Sequence, residues 1–385
     1  MKLFHLSDLH IGKQLHLHDM AESQRKMLHQ IVENAKREQP DGILIAGDIY
    51  DKSAPSGEAF SIFDEFLKEI NELEPKIPVF LIAGNHDSQL RLQYASRFLE
   101  KEEIYISAMP PQSEEEWLKK ITLEDAYGPV HIYLLPFVRP ADGKNFFREK
   151  KDIRTYDDAV GAFLEREQID TRERNVLVAH QFFTSGAVEP ERRESEMRYI
   201  SVGGIDNVST SHVEKFDYVA LGHIHTCQKI GQSHIRYSGT PLKYSVSEAN
   251  DQKGITVVTL LEKGKEVELD FIPLVMKPDV KKVKGTLADV IAMCDEKLME
   301  DYVSITLTDE ETLFRPKDRL QEFYHHILEV NFENRRTKAL LQRETVDVTQ
   351  ENPLELFADF YQEMNGQPMS EAEELVMKEI LEKLG

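Results

Sequence analysis

The sequence predicts a layered α/β domain, followed by a smaller second unit and short C-terminal helices. Three observations lead there. Over the first 275 or so residues, short apolar runs alternate with amphipathic helical stretches. Five of those runs are each followed at once by a residue able to bind a metal. After Pro273 the composition shifts, and "MKPDVKKVKG" reads as a linker.

The five runs are rich in β-branched or large apolar residues and read as buried strands. "KLFHLS" leads to Asp8, "GILIAG" to Asp48, and "VFLIAG" to Asn85 and His86. "NVLVA" leads to His180 and "DYVALG" to His223. In layered α/β folds the loops beyond the carboxyl ends of strands line the ligand crevice, so five such ends can bring their polar tips to one place. Helices are predicted from Asp19 to Glu38 and from Ser56 to Leu73, with further strands at His131 to Leu135 and His234 to Tyr237. Ile255 to Leu261 and Val267 to Ile272, joined by "LEKGK", read as an antiparallel hairpin with Gly264 in the turn. Residues 139–155 form a basic stretch carrying Arg139, Arg148, Lys150, Lys151 and Arg154, and residues 185–204 read as a long loop.

The second unit, residues 280–345, is predicted to hold a helix over 286–300, a strand from Tyr302 to Leu307 and a helix from Lys317 to Ile327. Two amphipathic helices follow. Asn352 and Pro353 open the first, with Leu354, Phe357, Ala358 and Tyr361 along one face. Ser370 and Glu373 stand at capping-box spacing ahead of the second. Val376, Met377, Ile380, Leu381 and Leu384 make its apolar stripe.

A chain of 385 residues with 41% apolar content can form two or three domains with real cores. It has no apolar stretch of membrane-spanning length, and "MKLFHLSDLH" lacks the unbroken apolar segment of a signal peptide. Cys227 and Cys294 are too few for a disulfide framework, which fits a cytoplasmic protein. The formal net charge of −22 repels polyanions. A nucleic-acid role therefore needs local positive charge, bound cations or a basic partner.

The candidate ligands fall into five motifs: "SDLHIG" with Asp8 and His10, "GDIYD" with Asp48 and Asp51, "GNHD" with Asn85, His86 and Asp87, "AHQ" with His180, and "GHIH" with His223 and His225. Imidazole and carboxylate together suit a divalent ion such as Mn, Fe or Zn, and the lack of thiolate argues against a closed structural zinc site. Cys227, two residues beyond His225, is set aside because better ligands are present. Spacing of i, i+2 lets Asp8 and His10 share one metal and lets His223 and His225 reach two adjacent ones. Seven ligands exceed what one ion with an open position needs. Two ions ~3.5–4 Å apart are a recognised device for hydrolysing phosphate esters.

In this order the motifs resemble the calcineurin-like metallophosphoesterase superfamily. "FHLSDLHIGKQL", "GDIYDKSAPS", "GNHDS" and "YSGTPLKYSVSEAN" further resemble the nuclease subunits of bacterial SbcCD complexes, over the whole chain. That resemblance implies two mixed β-sheets flanked by helices over residues 1–275, a small α+β capping domain over 276–345 that bears on DNA specificity, and C-terminal helices over 346–385 that dock on the partner. It implies that Asp8, His10 and His225 hold one metal and Asn85, His180 and His223 the other, with Asp48 bridging. His86 would be the general acid or steady the transition state, oriented by Asp51, with Ser7 and Asp87 as supporting residues. The implied cofactors are two divalent ions, manganese first, with Mg, Fe or Zn as alternatives. The implied partners are DNA (double-strand ends, hairpins and single strands) and an SMC-like ATPase of the SbcC type, in a heterotetramer built on a homodimer, with no membrane. The implied activity is ATP-dependent double-strand exonuclease and single-strand or hairpin endonuclease cleavage, in repair and recombination at the nucleoid. A phosphoesterase for a non-DNA substrate and a structural adaptor with an idle metal site remain as alternatives.

Overall fold

The structure, a computed structural model, describes residues 1–148, 152–196, 206–311, 313–334 and 368–384, together with Leu354, Phe357, Ala358 and Tyr361. Two six-stranded mixed sheets form its centre. The first runs in the order Glu268–Pro273, Gly254–Thr259, Lys2–Leu6, Gly42–Ile45, Val79–Ile82, Ile104–Ser107. Its last four strands are parallel, and the Gly254–Thr259 and Glu268–Pro273 hairpin adds antiparallel edges. The second runs Gln228–Ile230, Gln232–Tyr237, Tyr218–Gly222, Arg174–His180, Gly128–Leu135, Lys119–Asp125, and its four middle strands are parallel.

Alternation along each strand divides the side chains between two faces. Leu3, Leu44, Phe80 and Ile82 from the first sheet share one buried cluster with Val130, Ile132, Val176, Val178, Tyr218 and Ala220 from the second. Their neighbours point outward. Phe4, Leu6, Ile43, Ile45 and Leu81 pack under the helices Ala21–Glu38 and Gly57–Asn71. Leu135, Leu177, Val219 and Leu221 pack with Val160, Phe163 and Leu164 of the helix Tyr156–Arg166. The result is helix, sheet, sheet, helix, as the family resemblance implied. Burial of each such side chain contributes ~1.5–3 kcal/mol, which is why both faces of the central strands are apolar. His5 is a buried polar residue of the first strand, with Nδ1 2.9 Å from the Tyr218 hydroxyl and Nε2 3.2 Å from the Leu221 carbonyl oxygen.

Chain ends of the elements are set locally. Ser56 caps Gly57–Asn71 by accepting from the amide of Ala59 at 3.1 Å, and Thr155 caps Tyr156–Arg166 by accepting from the amide of Asp158 at 3.1 Å. Four parallel strands stop where the metal-ligand motifs begin: Leu6 before Asp8, Ile45 before Asp48, Ile82 before Asn85, and Gly222 before His223. His180 ends its own strand and is paired with Gly222.

Beyond Pro273 the structure corrects two expectations. Residues 286–300 form two helices, Leu287–Met293 and Glu296–Glu300. Cys294 is extended and the Asp295 carboxylate caps the second helix, accepting from Leu298 at 2.7 Å. The helix expected from Lys317 to Ile327 is short, Pro316–Leu320, and is followed by the strand His326–Phe332. "HILEVNF" alternates in the strand period, and it joins Val280–Gly285 and Tyr302–Leu307 in a three-stranded sheet. The basic stretch opens with a helix, Pro140–Phe146, in which Asp142 accepts from the Arg139 amide at 2.8 Å; Lys150 and Lys151 lie outside the described residues, as does much of the 185–204 loop.

The chain divides into two compact units, Met1–Thr306 with Arg315–Asn331, and Leu307–Phe314 with Phe332–Gly385. In the second, Leu354, Phe357, Ala358 and Tyr361 are helical, and the helix Glu371–Leu384 follows Ser370, whose amide donates to Glu373 at 2.8 Å. The expected start at Asn352 and Pro353 lies outside the described residues. Among the described residues no helix is long and apolar enough to cross a membrane.

Candidate metal centre

The loops after the parallel strands bring two sets of donors around Asp48. On one side, Nε2 of His10 lies 3.1 Å from Nε2 of His225, 4.0 Å from the Asp8 carboxylate and 3.8 Å from Asp48 Oδ2. On the other, the Asn85 amide oxygen lies 3.0 Å from His180 Nε2 and 2.9 Å from His223 Nδ1. His180 Nε2 is 3.3 Å from Asp48 Oδ2. Among the described residues, three metal-capable triads result: Asp8, His10 and His225; His10, Asp48 and His86; and Asp8, Asp48 and His180. All seven expected ligands are thus gathered at one place. Cys227 belongs to none of the triads; its thiol is 3.6 Å from the Thr256 hydroxyl.

Backbone strain marks the same residues. Asp8, His10, Asp48 and His223 have φ of 53°, 45°, 51° and 98°. A non-glycine residue in this region costs of order 1–3 kcal/mol and persists only where the surroundings hold it. Close approach of backbone also has a glycine requirement. A Cβ on Gly84 would lie 2.1 Å from Asp48 Oδ1, and one on Gly222 1.9 Å from the Ala46 carbonyl oxygen. That carbonyl accepts from His180 Nδ1 at 2.7 Å, which turns Nε2 of His180 toward the centre.

These donors fit a pair of divalent cations. Two buried carboxylates face four imidazole nitrogens and an amide oxygen, all atoms with lone pairs to give. Burial, then the charge of Lys13, holds the His10 imidazole well below its ordinary pKa, and burial pushes His223 down to about 3. Both are therefore neutral, as a metal ligand must be. Burial also opposes charge on His180, but Asp48 and Asp8 outweigh it and raise the pKa to about 9. Binding a cation there releases a proton.

A supporting layer fixes the loops. The Asp87 carboxylate accepts from the amides of Ile49, Tyr50 and Gly84 at 3.1, 3.0 and 2.9 Å, tying the Asp48 loop to the Asn85 loop. Ser7 and Ser238 share a 2.7 Å hydrogen bond. Gln24 donates to the His10 carbonyl at 2.9 Å and to the Tyr244 hydroxyl at 3.0 Å, and that hydroxyl donates to Leu9 at 2.5 Å. His86 Nδ1 donates to the backbone carbonyl of Asp51 at 2.7 Å. The Asp51 carboxylate faces elsewhere, 3.1 Å from Lys13 Nζ and 3.7 Å from His10 Nδ1.

Sequence reasoning missed the group behind His225. Ser195, Glu196, Glu248 and Lys253 all contact it or each other. Glu248 lies within "YSGTPLKYSVSEAN", a stretch valued only for its resemblance, and no spacing rule connects it with Ser195.

Residues 1–227 match the calcineurin-like phosphoesterase family, and residues 277–365 match the family described as the type 5 capsule protein repressor C-terminal domain. The chain belongs to the calcineurin-like phosphoesterase family, a superfamily of metal-dependent phosphoesterases and nucleases, and its clustered donors are those of a two-metal hydrolase. At full length it groups with the bacterial SbcD nucleases. It is 30% identical over 387 residues to the SbcD component of the SbcCD nuclease of Staphylococcus epidermidis, covering 99% of this chain and 98% of the relative. The counterpart in Staphylococcus saprophyticus is also 30% identical over 387 residues, covering 100% and 98%. Among solved structures, a dimetal phosphatase from Danio rerio aligns with a TM-score of 0.38 and 13% identity, over 70% of this chain and 98% of that one.

Proposed function

We propose that this protein is the nuclease component of an SbcCD-type complex, a manganese-dependent hydrolase of DNA phosphodiester bonds. One observation carries the reading: two donor clusters meet at Asp48 in a chain that aligns end to end with the SbcD nucleases. Asp8, His10 and His225 would hold one ion and Asn85, His180 and His223 the other, with Asp48 standing between the two donor sets. When bound, two divalent cations stabilise the phosphoryl oxygens and acidify water at the site. His86 is the acid. Its Nδ1–H is spent on the Asp51 carbonyl, which leaves Nε2, 3.8 Å from Asp48 Oδ2, as the nitrogen to face the leaving oxygen.

Residues 1–275 form the nuclease domain, 276–345 the capping and DNA-specificity domain, and 346–385 the region that docks on an SMC-like ATPase. The charge of −22 favours this division of labour: the cations attract the strand locally, and the partner supplies grip and ATP-driven digestion of duplex ends. Leu90, Tyr94 and Phe98, 75%, 82% and 75% exposed, support a homodimer surface on the nuclease domain.

The test is cleavage of hairpin, single-strand and duplex-end DNA with manganese, with and without the ATPase. Single-strand and hairpin cutting by the chain alone, and duplex-end digestion only with partner and ATP, is the expected pattern. Hydrolysis of nitrophenyl esters with no DNA cleavage under any condition would falsify it in favour of a non-DNA phosphoesterase.

A further inference from the structure

Beside the Asn85 and His223 end of the centre lies a cleft of about 240 Å³ that the chemistry above leaves unused. Phe137, Tyr156 and Phe182 supply its aromatic walls, with Arg139 at the rim. The rings of Phe137 and Tyr156 have centroids 5.8 Å apart, and the Phe182 ring meets His223 edge-on at 6.3 Å. Guanidinium groups lie over two of the rings, Arg139 at 5.4 Å from the Phe137 centroid and Arg192 at 4.0 Å from that of Phe182. Asp206 and Gln181 add a carboxylate and an amide to the lining.

Hydrolysis of a phosphate ester needs none of these rings. Aromatic faces beside guanidinium planes are what unstacked nucleobases pack against, and polar edges are what they hydrogen-bond. A lipid-like substituent would leave Arg139, Asp206 and Gln181 facing hydrocarbon, which is costly. The cleft is smaller than the usual range for drug-sized ligands, so it suits one base and not a base pair.

We propose that this cleft is a nucleobase subsite. It takes one unpaired base of the nucleotide whose phosphate sits at Asn85 and His223, so the strand enters the centre with that nucleotide out of its stack. This rests on the phosphodiesterase reading above and names the substrate feature that reading leaves open.

The full chain with manganese is assayed on thymidine 5′-(p-nitrophenyl phosphate) and on methyl p-nitrophenyl phosphate, which has no base. Binding of thymidine monophosphate and of methyl phosphate is measured in parallel by calorimetry. The expected result is a preference of ~10-fold or more for the nucleoside compound in both kcat/KM and affinity, the scale of one stacked base. Phe182→Leu, Tyr156→Leu and, at the exposed rim where folding is not at stake, Arg139→Ala should each reduce that ratio severalfold. A ratio near one in the wild type, or one that none of the three changes, overturns the subsite and leaves the phosphodiesterase standing. No hydrolysis of either ester by protein carrying two manganese ions overturns the phosphodiesterase, and the subsite with it.

Discussion

Ser195 and His225 are joined by a 2.7 Å hydrogen bond between the serine hydroxyl and His225 Nδ1. The hydroxyl donates onward to Glu248 at 2.8 Å, so it accepts from His225, whose proton is thereby placed on Nδ1 and whose Nε2 lone pair faces His10. Glu248 is fully buried and its other oxygen lies 2.6 Å from Lys253 Nζ, which also donates to the His225 carbonyl at 2.9 Å. The imidazole is thus held from both its ring and its backbone. Partners of this kind tune metal ligands, and losing one typically costs 10–100-fold in affinity. Ser195→Ala is expected to weaken manganese binding ~10-fold by calorimetry with little change in thermal unfolding. Glu248→Ala leaves Lys253 with the more distant Asp251 carboxylate at 3.7 Å, and is expected to destabilise the protein by ~3 kcal/mol as well. Undiminished manganese affinity in both variants would remove the network from the centre.

His86 is oriented by main chain, and this separates substitution of His86 from substitution of Asp51, the residue expected to orient it. The acceptor for Nδ1–H is the Asp51 carbonyl, which Asp51→Ala retains. His86→Ala is expected to lower cleavage by ~10²–10⁴-fold, the scale of losing an acid–base group, with about two ions still bound. Asp51→Ala is expected to cost far less, acting only through Lys13 and the neighbourhood of His10. Equal losses in single-turnover rate would mean that the Asp51 carboxylate, and not its carbonyl, serves the reaction.

Acid stability has a separate origin, away from the donor cluster. Arg174 is buried in the strand Arg174–His180 and grips Asp125 with Nη1 3.0 Å from Oδ2, while also donating to the carbonyls of Gly128 and Leu261 at 2.6 and 3.1 Å. The guanidinium holds the Asp125 carboxyl well below the usual carboxylate range, against the opposing effect of burial. A depressed folded pKa means stability that is present above the unfolded value of ~3.9 and is lost as pH falls through the folded one. Asp125→Asn is expected to lower stability by about 2 kcal/mol at neutral pH, the worth of a charged hydrogen bond. Urea unfolding should show that deficit shrinking at pH 3. A deficit independent of pH would assign it to packing.

The centre was legible because its residues follow strands. Asp48, Asn85, His180 and His223 each stand after an apolar run, and the parallel pairing of those runs delivers them to one end of the sandwich. The reason given for Asp8 and His10 fares less well. They lie beyond Leu6, where the strand stops, and left-handed backbone rather than strand alternation turns both inward. Ser195, Glu248 and Lys253 were not legible, since their contacts with His225 are tertiary and leave no period in the sequence. Lys119–Asp125 escaped because an edge strand with charged residues outward shows a weak pattern; only Ile121 and Leu123 pack inward. The strand His326–Phe332 was misread as the end of a helix because Ile327 and Leu328 stand side by side ahead of the alternation of Glu329, Val330, Asn331 and Phe332.

The helix Glu371–Leu384 presents apolar side chains that nothing described covers: Leu375, Val376 and Ile380 are 63%, 56% and 44% exposed. Removing exposed residues forfeits little folding energy, whereas apolar anchors at an interface carry ~1–2 kcal/mol each. Deleting Ser370–Gly385 is therefore expected to leave manganese-dependent single-strand cutting near the wild-type rate and to weaken binding of the ATPase at least 10-fold in a pull-down titration. Val376→Asp with Ile380→Asp should reproduce the binding loss in the full-length chain. If the deletion instead yields insoluble protein, or if the double variant binds the ATPase as tightly as the wild type does, this helix belongs to the fold and the docking site lies elsewhere.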